Sequence, residues 1–133
     1  MTASLASYAR AAQSHLEVAQ FCHDGHHFGA AVTEAYHSVL ASIKVRLLKR
    51  GRRLPKSHSG ALSCLYHEFV DGGDLAREPH SFVHEMQTYR DDWNYEAEVP
   101  PSSKSEQALA TASEVKSLID PNGSSERPVA PPS

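Results

Sequence analysis

A chain of 133 residues holds one domain with a fair-sized core, not two. A hydrophobic share of 40% fits a globular protein, and a formal net charge of -3 excludes any overall pull toward nucleic acid. No stretch approaches the roughly 20 apolar residues that a membrane span requires.

The pattern is helical throughout, beginning with Leu5, Tyr8, Ala9, Ala12, Leu16 and Ala19, whose spacing predicts an amphipathic helix over 4–23. The opening lacks a basic start and a continuous apolar run, so no signal peptide is expected. "HDGHHFG" interrupts the pattern, with Gly25 as the natural stop. A second helix then runs to about Arg50 with Val32, Tyr36, Val39, Leu40, Ile43 and Leu47 on one face. Gly51 ends it, and "RRLPKSHSG" reads as a loop in which Ser57 or Ser59 caps a third helix. That helix turns Leu62, Leu65, Tyr66 and Phe69 inward and ends at the "DGGD" turn, 71–74. The fourth helix covers about 77–95, with Phe82, Val83, Met86, Tyr89 and Trp93 on its stripe. "EVPPSS" is a stiff connection, since paired prolines cannot continue a helix. Ser102 or Ser103 is then expected to cap a fifth helix bearing Ala108, Ala112, Val115 and Ile119. These elements predict an all-α fold, an antiparallel up-and-down four-helix bundle with a fifth C-terminal helix, over residues 1–119. The Pro- and Ser-rich remainder, 120–133, is predicted to be disordered.

Charge is unevenly placed. Seven of the thirteen basic residues, Lys44 to Lys56, lie between Glu34 and Glu68 with no acid among them. Lys49 and Arg50 are explained by the dipole at a helix C-terminus. Arg52, Arg53 and Lys56 exceed that need and form a patch able to hold phosphates or an acidic protein surface. From Glu68 to Glu98 inclusive there are nine acids against Arg77 and Arg90 alone. The contrast fits a plain solvated surface, a binding patch, or mutual attraction of two subunits.

Nine histidines invite a metal reading, with Cys22, His23, Asp24, His26 and His27 in one group and His80 with His84 in another. The first group straddles a helix end and the second is expected to face solvent, so no metal site and no cofactor is predicted. Cys22 and Cys64 fit no disulfide framework and read as reduced thiols of a cytoplasmic protein. "DGGD" lacks the strand and lysine of a phosphate loop, and "SHSG" lacks a third group to orient a base. Arg90 is a sharper signal. It lies about 40° from Met86 at ~100° per residue, close to the apolar stripe, with Asn94 one turn further on the same side. An ordinary reading packs its stem at the stripe's edge with its head in water.

Taken in order, "AVTEAYHSVLASIKVRLLKRG", "PKSHSGALSCLYHEFV", "YRDDWNY" and "SEQALATASEV" resemble the HEPN family of prokaryotic helical bundles over about residues 5–119. The resemblance implies a homodimer encoded beside a small nucleotidyltransferase partner in toxin–antitoxin or defence systems. Its ribonuclease branch places a histidine four to six residues after an arginine at the dimer cleft, cleaving RNA without metal. Arg90 matches the arginine, but Tyr95, Glu96 and Ala97 stand where the histidine would be. The closer match is a branch with an Arg-x-x-Ala-Asp-Tyr-like motif, giving Arg90 and Tyr95, with Trp93 and Asn94 replacing Ala and Asp. Tyr95 falls almost opposite Met86 and is expected to pack on the fifth helix or a dimer partner.

The sequence therefore predicts a dimeric module binding RNA or a partner protein, with Arg50, Arg52, Arg53, Lys56 and His58 on the binding surface. The competing reading is a metal-independent endoribonuclease built on Arg90, Asn94 and Tyr95, or on Arg90 with a histidine from elsewhere such as His37 or His58.

Overall fold

The computed structural model describes residues 4–119. The segment predicted to be disordered, 120–133, lies outside the described residues. The helices are α1 (Leu5–Asp24), α2 (Phe28–Lys49), α3 (His58–Leu65), α4 (Arg77–Glu96) and α5 (Ser102–Ser117), and a π-helical turn, Tyr66–Val70, extends α3. The described residues contain no strand.

The expected bundle is present, and its long members are α1, α2, α4 and α5. Three residues separate α1 from α2, so the two helices fold back on each other. The central helix is α2, which packs against α1, α4 and α5 together. One buried face was expected of it, yet Ala31, Ala35, Ser38, Ala41, Ser42 and Val45 are buried as well as the predicted stripe, of which Leu40 alone is only half-buried. Small residues let neighbours approach from several sides, as at the α1–α2 seam where Ala12 and Ala19 are fully buried. The Ser38 hydroxyl donates to the Ala12 carbonyl across that seam at 2.8 Å, so its burial leaves no donor stranded.

The helix ends refine the sequence reading. Ser4 caps α1 by accepting the Ser7 amide, and Ser57 caps α3 by accepting the Gly60 amide at 3.0 Å. At the end of α1, Gly25 has φ -86°, and His26 takes the left-handed conformation at φ 64°. Gly51, at φ 66°, follows the end of α2 as predicted. Neither Ser102 nor Ser103 caps α5. Pro101 holds the cap position, and its carbonyl accepts from Lys104 and Ser105. The helix begins one residue sooner because a proline at its boundary has no amide to satisfy.

A close approach joins α2 to α4. A methyl group on Gly29 would come within 2.2 Å of the Trp93 ring. The bulky residue standing where the motif has alanine is thus accommodated by a position without a side chain.

Candidate anion site around Arg90

Arg90 extends from α4 toward α2, and its side chain is 18% exposed. Its Nη1 donates to Asp91 Oδ1 at 3.0 Å, and its guanidinium carbon lies 5.8 Å from the centre of the Tyr36 ring. Arg90 Nε is buried without a hydrogen-bond partner, and so is the hydroxyl of Tyr36. Tyr36 is fully buried, being part of the α2 stripe. Burial pushes its phenol up to about 12, an effect that Arg90 partly opposes and Asp91 reinforces. The phenol therefore stays protonated and remains a donor at neutral pH.

Two histidines adjoin this pair. The His58 ring, from the first residue of α3, meets Tyr36 edge-on at 5.5 Å. His37 follows Tyr36 on α2, 6.4 Å between rings, and lies 5.4 Å from His15 on α1. His15 Nδ1 is 2.7 Å from Glu34 Oε1. Burial lowers the pKa of His37, as do His15, Arg90 and His58, while Glu34 opposes them. His37 is consequently a neutral imidazole at pH 7, able to accept a proton. Four helices thus contribute to one polar cluster holding a half-compensated cation and two unpartnered polar atoms.

The other predicted chemical residues lie apart from it. Tyr95 is 75% exposed and Asn94 is exposed, so Tyr95 does not pack on α5. The expected solvent-facing His80 is instead part-buried, because it lies 5.2 Å from the Tyr66 ring and donates through Nε2 to the Leu62 carbonyl. Burial lowers its pKa. Among the described residues no three His, Cys, Asp or Glu side chains are grouped to hold a metal ion.

The HEPN domain profile matches residues 6–121, most of the chain. The chain belongs to the HEPN domain family. A Methanocaldococcus jannaschii protein named "Putative toxin MJ0142" is 29% identical over 88 residues, or 66% of this chain. The matched region spans 59% of that relative's length.

In this HEPN domain the predicted basic surface divides in two. Arg50 and Arg52 close on opposite oxygens of the Glu68 carboxylate at 2.6 and 3.2 Å, and Glu68 is only 4% exposed. Nearby, Arg46 lies over the Phe69 ring, its guanidinium carbon 4.1 Å from the ring centre. Its Nη1 donates to the Glu68 carbonyl and to Asp74 Oδ2, and its Nη2 donates to the Leu118 carbonyl. Lys49 donates to the Ile119 carbonyl, so α2 supplies cations where α5 ends. Arg53 and Lys56 have no such partner among the described residues and remain exposed. His58 belongs with Tyr36 and not with the arginines. Sequence reasoning missed Tyr36 because its place on an apolar stripe explained it fully. A stripe tyrosine at α2 and a stripe arginine at α4 were each visible, but their meeting was not.

Proposed function

We propose that this HEPN domain is the RNA-directed member of a cytoplasmic toxin–antitoxin or related defence pair, working as a homodimer with Arg90 receiving a phosphate. The observation that carries the reading is the Arg90 guanidinium, restrained over Tyr36 while Nε lacks a partner. A cation held so incompletely paired is destabilising, and a phosphate at the accessible edge of the guanidinium would add a charge-assisted partner. The name of the archaeal relative supports the toxin context, and a nucleotidyltransferase-type protein is the partner the family resemblance suggests. The uncovered side chains of Phe21, Tyr95 and Val99 favour pairing of two copies. No helix among the described residues is long and apolar enough to cross a membrane.

Metal-independent RNA cleavage is the second reading, favoured by the neutral His37 beside the Arg90 cluster. In that reaction the 2′-hydroxyl gives its proton to the imidazole, its oxygen bonds to phosphorus, and the 5′-oxygen leaves as it takes up a proton. Arg90 would offset the charge growing on the phosphoryl oxygens.

Both readings are tested by incubating the purified chain with labelled structured RNA in chelator, beside Arg90→Ala. Loss of a charge-assisted contact is expected to weaken RNA retention about tenfold or more. Cleavage that persists in chelator and disappears in the variant would establish the nuclease. Retention without cleavage would establish the binding module. RNA held equally well by both proteins would remove Arg90 from the site, and light scattering at the monomer mass would remove the dimer.

A further inference from the structure

A cleft of about 230 Å³ opens between α2 and the start of α3, next to the Arg90 cluster. Lys44, Lys56, Ser57 and His58 line it, and no acidic residue does. Lys44 Nζ is stationed 5.2 Å from the centre of the Tyr8 ring, which leaves its hydrogens available to a ligand. The Ser57 oxygen accepts the Gly60 amide and lies 3.4 Å from the Ser59 hydroxyl; with Ser59 as the donor of that pair, the Ser57 hydrogen is left for a ligand. Leu40, Pro55 and Ala61 form the apolar remainder of the wall. His58 belongs to both places, lining the cleft while its ring touches Tyr36, which in turn lies under Arg90.

We infer that this cleft is a second phosphate subsite on one RNA strand, neighbouring the phosphate held by Arg90, with Lys44 and Lys56 as its cations. The inference rests on the RNA reading above and adds the path of the strand, from α4 past His58 to the cleft between α2 and α3, with Tyr36 buried beneath it. Two ring contacts, 5.8 and 5.5 Å, connect the guanidinium through the buried Tyr36 to His58 on the cleft wall, so the two places are neighbours. Cations on a wall without carboxylates attract a polyanion, and the apolar wall offers a surface to a sugar or base. Arg50 and Arg52, which the sequence assigned to the same surface, are occupied by Glu68 and take no part.

The test uses the full chain in chelator with three probes: fluorescein-labelled octauridylate, a polyglutamate peptide, and the dinucleotide uridylyl-uridine, whose single phosphate occupies one subsite. Proteins compared are wild type, the Lys44→Gln/Lys56→Gln double variant and Arg90→Ala. Neither lysine is buried, and a thermal melt confirms that the variants are folded. The double variant is expected to bind octauridylate about tenfold more weakly, with its logarithmic salt slope reduced by about one. Its affinity for the dinucleotide, followed by NMR shifts, is expected to stay at the wild-type value while Arg90→Ala loses it. An unchanged octauridylate affinity and slope in the double variant overturns the cleft. So does a variant that keeps octauridylate but loses a polyglutamate peptide, which would assign the cleft to an acidic protein. If Arg90→Ala keeps the octauridylate binding that the lysine variant loses, the cleft stands and the Arg90 centre falls. No octauridylate binding by wild type at low salt overturns both.

Discussion

The hydroxyl of Tyr36 is the residue whose environment is hardest to reconcile with stability alone. It is buried, protonated and without a partner, whereas buried polar atoms are nearly always paired. Tyr36→Phe keeps the ring against Arg90 and His58 and removes only the stranded oxygen. We expect the variant to be more stable by about 1 kcal/mol, read as a higher urea midpoint, and to bind RNA less well. A loss of stability with RNA binding intact would show that the oxygen serves the core. Gly29 makes the opposite case, where absence of a side chain is the requirement. Gly29→Ala drives a methyl into Trp93, and we expect a loss of about 1–3 kcal/mol in chemical denaturation, since neither helix backbone yields readily.

At the level of elements, Arg46 ties four segments together. It leaves α2, crosses Phe69 in the π-helical turn, reaches Asp74 in the loop before α4, and ends on the Leu118 carbonyl just beyond α5. Truncation strands the buried Glu68 carbonyl as well as removing the charge, so Arg46→Ala should lower the unfolding free energy by about 3 kcal/mol. Arg46→Lys should recover only part of this, because an ammonium lacks the flat fork that bonds in two directions while stacking on a ring. A urea titration giving equal midpoints for Lys and wild type would contradict that account. The helices themselves were legible because their cores repeat at helical spacing, as with Phe82, Val83 and Met86 on α4. Their ends were less so. The left-handed residue after α1 is His26 and not Gly25, because the turn's geometry, not residue preference, chose the position.

Across the whole molecule, the two charge blocks noted in the sequence meet within one chain. Arg46, Arg50 and Arg52 close on Glu68 and Asp74, so part of the charge contrast is satisfied inside the fold, an outcome outside the three alternatives read from the sequence. The molecule as a unit should also respond to pH. His37 and His80 are both depressed below the ordinary 6.5 by burial. Between their folded values and 6.5 the unfolded chain binds more protons than the folded one, so stability rises with pH there. Their contribution is complete above about pH 7 and is lost as the pH falls through 6.5 toward the folded values. Around His37 stand His15, Glu34, Arg90 and His58, and around His80 stand Tyr66, His84 and the Leu62 carbonyl. Urea midpoints at pH 7.5 and 5.5 should differ for wild type and converge in a His37→Gln/His80→Gln variant. Equal slopes in the two proteins would place the titration elsewhere.

The sequence by itself determined an all-helical bundle, the approximate limits of its helices, its membership of a family and the place of Arg90 beside an apolar stripe. Local periodicity and turn residues carry that information, because each acts over a few positions along one chain. Only the tertiary structure decided which charges face one another. Arg50 and Glu68 are 18 residues apart, and Tyr36 and Arg90 stand on different helices, so their meeting depends on how α2 packs. That packing turned part of a basic patch into an internal clamp and brought a tyrosine and two histidines to an arginine whose motif lacks a histidine of its own.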